Sequence, residues 1–129
     1  MTVAKAKDIQ QEIKKILKRT IFPHIKIKSI ICFRSFGAKT KAYARIWNFP
    51  SIWQKALNLQ PHYIIEVISE RFDKLSDEQK TKTLIHELLH IPKNFSGALR
   101  PHRGRNWRLN KLVDRHFSDF KKNDKNSSR

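Results

Sequence analysis

The residues best suited to chemistry in this chain are two histidines and a glutamate in the string His86-Glu87-Leu88-Leu89-His90. This is the HExxH pattern, in which both imidazoles project from the same side of a helix and can reach one metal ion. The glutamate is placed to act as a general base beside that ion. The spacing therefore predicts one zinc ion per chain, with His86 and His90 as ligands and Glu87 as the catalytic residue.

A catalytic zinc usually has three protein ligands and one open position for water, so a third ligand is needed. No glutamate occurs after Glu87, which argues against a site completed by a later glutamate. The candidates are His102, His116 and Asp114. His102 lies in an irregular loop where the chain can fold back beneath the metal, whereas His116 lies on the apolar face of the last predicted helix. We expect His102 to be the third ligand and His116 to pack in the core.

Zinc held by three histidines lowers the pKa of a bound water towards neutrality, and Glu87 can then take its proton. This is the chemistry of peptide-bond hydrolysis, in which the same carboxyl group returns the proton to the leaving amine. Tyr63 and Arg100 are candidates for stabilising the oxyanion. An edge strand such as residues 63–69 can align an extended peptide by main-chain pairing, and the sequence leaves open which strand is at the edge.

Apolar patterns predict the elements that position this site, and together they predict an α+β fold with a three-stranded, mainly antiparallel sheet. Steps of three and four residues predict a first helix over 3–19. Ser76 followed by Gln79 forms a capping box that begins the motif helix, which is expected to continue until Pro92 with one leucine-rich face in the core. The other predicted elements are strands at 25–35, 42–47 and 63–69, a short helix at 52–57, a loop at 91–104 and a last helix at 109–120.

Chain length and composition favour a single domain. A chain of 129 residues buries about two-thirds of its unfolded surface, so we expect residues 1–120 to form one core and residues 121–129 to be a disordered basic tail. Cys32 is the only cysteine, which excludes a disulfide scaffold and favours a reducing compartment. No stretch approaches the roughly 18 apolar residues of a membrane-spanning helix, so we expect a soluble, cytoplasmic protein without a membrane partner.

The charge of the chain points to a polyanionic partner. The formal net charge is +17, of which residues 1–46 carry +10 and residues 100–129 carry +7, while residues 47–99 are neutral. Such a distribution favours DNA or RNA, because each neutralised phosphate releases counterions; a merely solvated basic surface is the alternative. The candidate contacts are Lys14, Lys15, Lys18, Arg19, Arg100, Arg103, Arg105, Arg108, Lys111 and Arg115.

Four stretches of the chain resemble a known family. They read ARIWNFP, SIWQKAL, YIIEVISERFDKLS and LIHELLHIPKNFSGALRPH, within about residues 41–107. They are similar to the small predicted metallopeptidases of archaea and phages, the phage metallopeptidase family. The resemblance implies a minimal zincin-like fold, zinc dependence, ligands at His86, His90 and His102, and a catalytic Glu87.

A more distant resemblance is to the SprT-like and Spartan proteases. These have a HExxH helix, a third histidine in the following loop, and a nearby glycine and aromatic residue. The corresponding residues here are His102, Gly104 and Trp107, with Arg103 as one extra residue between the histidine and the glycine. Spartan-type proteases act on proteins attached to DNA, and by analogy this suggests a similar substrate for a basic chain.

Two hypotheses for function follow. The first is a zinc-dependent endopeptidase, in which the neutral middle carries the chemistry and the basic ends bind nucleic acid. The second is a nucleic-acid- or ribosome-binding protein on a metallopeptidase-like fold, with little or no proteolysis. Trp47, Trp53 and Trp107 can stack on bases in either case, or pack in the core. A purely structural zinc is disfavoured, because such a site does not need Glu87.

Overall fold

The computed structural model describes residues 1–101 and 106–127, and these form the α+β fold that the sequence predicts. The strands are β1 (Thr2–Lys5), β2 (Ile30–Phe36), β3 (Ala44–Trp47) and β4 (Tyr63–Ile68). The helices are α1 (Lys7–Arg19), α2 (Ser51–Leu57), α3 (Ser69–Phe72), α4 (Asp77–Leu88) and α5 (Asn106–Ser127), and a 3-10 turn covers Ile27–Ser29.

The sheet in the described residues has four strands in the order β1-β2-β4-β3, so the expectation of three strands is wrong. β2 and β4 are parallel neighbours, and the two outer pairs are antiparallel. The additional strand is β1, which overlaps the start of the first helix predicted over 3–19. Thr2–Lys5 is exposed along its whole length and is a strand because it pairs with residues 33–36 of β2. Long-range pairing of this kind has no signature in the local sequence.

The bounds of two other elements differ from those predicted from the sequence. The strand predicted from residue 25 begins only at Ile30, because the preceding residues form the 3-10 turn, in which Ser29 donates its N–H to the Lys26 carbonyl at 2.9 Å. At the other end of the chain, α5 continues to Ser127. Residues 121–127 of the expected disordered tail therefore continue this helix.

Helix α4 carries the HExxH motif and begins as predicted. The Ser76 hydroxyl accepts the Gln79 N–H, and the Gln79 side chain accepts the Ser76 N–H, which closes the capping box. The helix ends at Leu88 rather than at Pro92. The residues that follow form a tighter turn, in which His90 donates its N–H to the carbonyl of Glu87 at 3.1 Å.

The core packs the sheet against α1 and α4, and α5 packs against these two helices. The predicted inner face of α4 is confirmed, because Leu84, Ile85 and Leu88 are each at most 1% exposed. Burial of this face fixes the rotation of α4 and directs the opposite face, with His86, outward. Among the described residues, no helix has the length and apolar character needed to cross a membrane.

Candidate metal centre

His86, Glu87 and His90 come together at the C-terminal end of α4. Each offers one ligand atom, and these atoms all lie within 4.8 Å of one another. The two imidazole centroids are 5.2 Å apart, and the ring planes are inclined by 70°. The end of the motif helix thus brings two imidazoles and a carboxylate within reach of a single metal ion.

The His90 ring is oriented by a main-chain carbonyl. His90 is only 7% exposed, and its Nδ1 lies 2.7 Å from the carbonyl oxygen of Arg100. A carbonyl oxygen can only accept, so Nδ1 carries the proton and the lone pair of the neutral ring is on Nε2. Metal-binding histidines usually have an outer hydrogen bond of this kind, which fixes the tautomer and the ring direction.

Glu87 is a buried carboxylate with one unpaired oxygen. The residue is 7% exposed, and burial raises the pKa of its side chain to about 8. Within the described part of the chain, nothing forms a hydrogen bond with the buried Oε2 atom. Because an unsatisfied buried acceptor is unfavourable, this oxygen fits a cation or a water molecule held next to the two histidines.

An open cleft with a volume of about 600 Å³ runs past these side chains. His86 and Glu87 line it from α4, residues 42–44 line it from the side of β3, and α5 contributes Asp114. Asp114 is one of the candidate third ligands, but in the structure it pairs with Lys82, whose Nζ lies 3.2 Å from its carboxylate. The cleft gives His86 and Glu87 access to a substrate.

β3 forms the edge of the sheet beside this cleft, whereas β4, the strand suggested from the sequence, lies inside the sheet between β2 and β3. Ile68 donates its N–H to the carbonyl of Tyr43 at 2.9 Å, which places the main-chain groups of Tyr43 and Arg45 towards β4. In an antiparallel pair these directions alternate, so the main-chain groups of Ala44 and Ile46 point away from the sheet. An unpaired strand edge therefore borders the cleft among the described residues.

The loop after α4 is held by a buried tyrosine. Tyr63 is 1% exposed, and its hydroxyl accepts the Gly97 N–H and donates to the Ala98 carbonyl, both at 2.8 Å. Burial raises the pKa of this hydroxyl, against the opposing effect of the bond from Gly97. The hydroxyl proton is already donated within the loop, so the expectation that Tyr63 stabilises an oxyanion is wrong.

The same loop is held from the side of α2. Phe49 donates its N–H to the Gly97 carbonyl at 2.7 Å. The Gln54 side chain donates to the carbonyls of Phe49 and Ser96, both at 2.8 Å. Three residues further on, Arg100 donates its own N–H to the His90 carbonyl at 2.7 Å. These bonds fix the path of the loop that follows His90, and the loop returns at Arg100 to contact His90.

Two histidines remain as candidates for the third metal ligand. His102 lies outside the described residues, as do Arg103, Gly104 and Arg105. His116 is described, and its ring stacks on Phe22 with centroids 4.4 Å apart, consistent with the packing role expected for it.

The basic residues expected to bind nucleic acid are distributed over several elements. Lys14 and Lys18 are exposed on α1, Lys111 and Arg115 are exposed on α5, and the Arg100 side chain is exposed after the loop. Lys15 lies 3.4 Å from Glu12, and the Arg19 guanidinium lies over the Phe120 ring at 5.0 Å. The side chain of Arg108 is outside the described part of the chain. The expected set is therefore not one uniform surface.

Sequence reasoning missed the contributions of the main chain. The Arg100 carbonyl at His90 and the outward-facing groups of Ala44 and Ile46 were not predicted, because every residue carries such groups and no side-chain pattern marks them. Only the folded path of the chain brings them to the site.

The fold and the site define the class of α+β proteins in which a HExxH motif places one histidine and a buried glutamate at an open cleft, with the second histidine beside them. A family model described as "Putative phage metallopeptidase" matches residues 1–123, and the chain belongs to this family. The match confirms the resemblance found within residues 41–107 and extends it to β1 and α1. No curated protein and no solved structure is significantly similar to the chain.

Proposed function

We propose that the protein is a zinc-dependent peptidase that hydrolyses peptide bonds in the cleft between α4 and β3. The observation that carries this proposal is the buried Glu87, whose Oε2 has no hydrogen-bond partner among the described residues and which lies beside His86 and His90. Membership of a metallopeptidase family supports the same chemistry.

Zinc is the metal that this donor set favours. Imidazole nitrogens are typical zinc ligands, and the Arg100 carbonyl already orients one of the two rings. The two hydrogen bonds between Arg100 and His90 hold the main chain of Arg100 next to the site. His102 is two residues further on, within about 7 Å of extended chain, which supports it as the third ligand. Three histidines leave one position open for water.

Zinc bound by these histidines supplies Lewis-acid activation of water and of the scissile carbonyl. Glu87 accepts the proton of the attacking water and returns it to the leaving amine. Burial raises its pKa to about 8, and a cation bound by His86 and His90 would lower that pKa, so that the carboxylate form would be accessible near neutral pH. The Arg100 carbonyl keeps the His90 ring in the required tautomer throughout.

The substrate in this proposal is an extended segment of an unfolded or flexible protein. β3 offers the outward-facing main-chain groups of Ala44 and Ile46 next to the cleft. A peptide that pairs with this edge adds a strand to the sheet, and this places its backbone alongside Glu87. Folded proteins do not expose such a backbone, so their compact regions are expected to resist cleavage.

The test combines metal content with hydrolysis of an unfolded protein. We expect one zinc per purified chain and cleavage of fluorescently labelled casein. Glu87→Gln should retain zinc and reduce cleavage by about 100-fold or more, because it removes general acid–base catalysis. Glu78→Gln is the matched control: this residue is exposed on the same helix, the charge change is identical, and activity should be retained.

Two results would contradict the proposal. Full casein cleavage by the Glu87→Gln protein would exclude Glu87 as the catalytic base. A chain that holds no zinc, even after refolding with the metal, would favour the second hypothesis, a nucleic-acid- or ribosome-binding protein with little or no proteolysis. A His102→Ala variant belongs in the same experiment, and unchanged zinc retention in it would exclude His102 as a ligand.

A further inference from the structure

Helix α1 separates its charged side chains onto two sides. At 100° per residue, Lys7, Lys14 and Lys18 lie within about 40° of one another and point away from the buried face. Asp8 and Glu12, the acidic residues of this helix, lie about 100–140° further around the axis. The charged residues on one side of α1 are therefore all basic.

The acidic side of α1 is already neutralised by other residues. Arg34 donates to both carboxylate oxygens of Asp8 at 2.9 Å, and Lys15 lies 3.4 Å from Glu12. Lys7, Lys14 and Lys18 form no ion pair among the described residues. Their charge remains available to a partner.

The 3-10 turn before β2 extends this basic side. It packs against α1, and the Gln10 side chain donates to the carbonyl of Ile30, the first residue of β2 directly after the turn, at 2.8 Å. Gln10 lies about 40° from Lys14 around the helix, on the basic side. Lys26 and Lys28 are both exposed on the turn. The lysine surface, as we define it, consists of Lys7, Lys14, Lys18, Lys26 and Lys28.

The composition of the surrounding chain favours phosphate groups as the ligand. Residues 13–65 contain no aspartate or glutamate, so no acidic residue of this long segment opposes the lysines. From Lys7 to Lys18 the helix rises about 16 Å, which is close to the length of five base pairs of a duplex. Lysines presented as separate point charges bind the sugar–phosphate backbone without reading base sequence.

The position of the aromatic residues favours a duplex over a single strand. Proteins bind single strands by stacking bases on aromatic side chains. Among the described residues, the exposed aromatic side chains are those of Phe36, Tyr43, Trp47 and Trp53, which lie on or near β2, β3 and α2, outside the lysine surface. The lysine surface offers positive charges but no aromatic side chain on which a base can stack. It therefore suits a duplex, in which the bases are already paired and the phosphates are exposed.

We propose that the lysine surface binds the phosphate backbone of a nucleic-acid duplex without sequence specificity. This assignment retains Lys14 and Lys18 from the sequence-based set. It replaces Lys15 and Arg19, which border the acidic side of α1, by Lys7, Lys26 and Lys28. The surface includes no residue of the candidate metal centre, so binding does not depend on zinc or on peptidase activity.

The test measures binding of the full chain to a fluorescent 25-base-pair DNA duplex at several salt concentrations. Five phosphate contacts give a slope of about −4.5 for the logarithm of the association constant against the logarithm of salt, or about a 500-fold loss between 50 and 200 mM salt. The triple variant Lys14→Gln, Lys18→Gln, Lys28→Gln should make this slope shallower by about 2.7. Casein cleavage by that variant should equal that of the parent.

The matched control is Lys15→Gln, Lys39→Gln, Lys74→Gln, which removes the same charge from other exposed positions. The slope of its association constant against salt should change by less than about 1. If both triple variants bind the duplex more weakly by the same factor, net charge alone drives binding, and the assignment is overturned. All six lysines are exposed, so both variants should unfold at the temperature of the parent protein.

Two further probes separate the duplex from other anions. A single strand of the same sequence should bind more weakly than the duplex, and tighter binding of the single strand would overturn the proposal. Vesicles of 70% phosphatidylcholine and 30% phosphatidylserine should bind weakly at the same salt concentration. Vesicle binding that matches duplex binding and is lost in the same triple variant would assign the surface to lipid instead.

Discussion

Replacing Gly97 by alanine should loosen the loop that orients His90. Gly97 has a φ of +94°, a backbone conformation that side chains disfavour. A Cβ atom built at this position overlaps the carbonyl oxygen of Phe49 and the Nε2 atom of Gln54. Both are part of the hydrogen bonding that holds the loop, so the loop must move to accommodate alanine.

The expected loss of stability has two parts. The positive φ contributes about 1–2 kcal/mol for an L-residue. Displacement of the loop also breaks the bond from Phe49 to Gly97 and the two bonds donated by Gln54, each of which contributes about 0.5–1.5 kcal/mol. The free energy of unfolding should therefore fall by about 2.5–6.5 kcal/mol. Zinc affinity should fall by about 10–100-fold, because the Arg100 carbonyl is an outer hydrogen-bond partner of His90.

The chain offers a matched control in Gly37. Its φ is +76°, but a Cβ atom there meets only the Met1 Cα, at the ordinary contact distance of 3.7 Å. Gly37→Ala should therefore show the backbone contribution alone, about 1–2 kcal/mol, with unchanged zinc affinity. Urea unfolding of both variants gives the stability difference, and competition with a chromogenic chelator gives the zinc affinity.

Equal losses of unfolding free energy in the two alanine variants would contradict the predicted clash at Gly97. A Gly97→Ala protein that is destabilised as expected but binds zinc as tightly as the parent would contradict the predicted link to the metal centre. The second result would separate the loop from the metal centre, and the Arg100 carbonyl would then be structural only.

Two further predictions concern buried and paired polar groups. Tyr63→Phe should lower the unfolding free energy by about 1–3 kcal/mol in urea titrations, because it leaves a buried N–H and a carbonyl without their partner; an unchanged midpoint would contradict this. The hydrogen bond from Arg34 lowers the pKa of Asp8, and for Asp73 the bonds from Arg34 and a neighbouring serine outweigh the opposing effect of burial. These carboxylates stabilise the fold above about pH 4, and this contribution is lost as the pH falls through their lowered pKa values. Arg34→Gln should therefore destabilise by about 1 kcal/mol at pH 7 and by less at pH 3; equal losses at both pH values would refute the linkage.

The sequence alone determined the parts of this protein that depend on local geometry. The capping box at Ser76 and the apolar face of α4 follow from spacings of three and four residues, which a helix converts directly into side-chain directions. His90 lies two residues beyond the end of α4, so its approach to His86 depends also on the tighter turn that follows the helix. The family, too, was visible from residues 41–107, before any fold was known.

Only the tertiary structure decided which distant segments meet. β1 is a strand because it pairs with β2, and β3 rather than β4 borders the cleft because of the strand order. The Arg100 carbonyl reaches His90 through a loop held from two other elements. Lys14 and Lys15 are neighbours in sequence but face different surroundings, because burial of Ile13 and Ile16 sets the rotation of α1. Helical spacing is a property of consecutive residues, whereas strand order, edges and main-chain contacts arise only when segments far apart in sequence pack together.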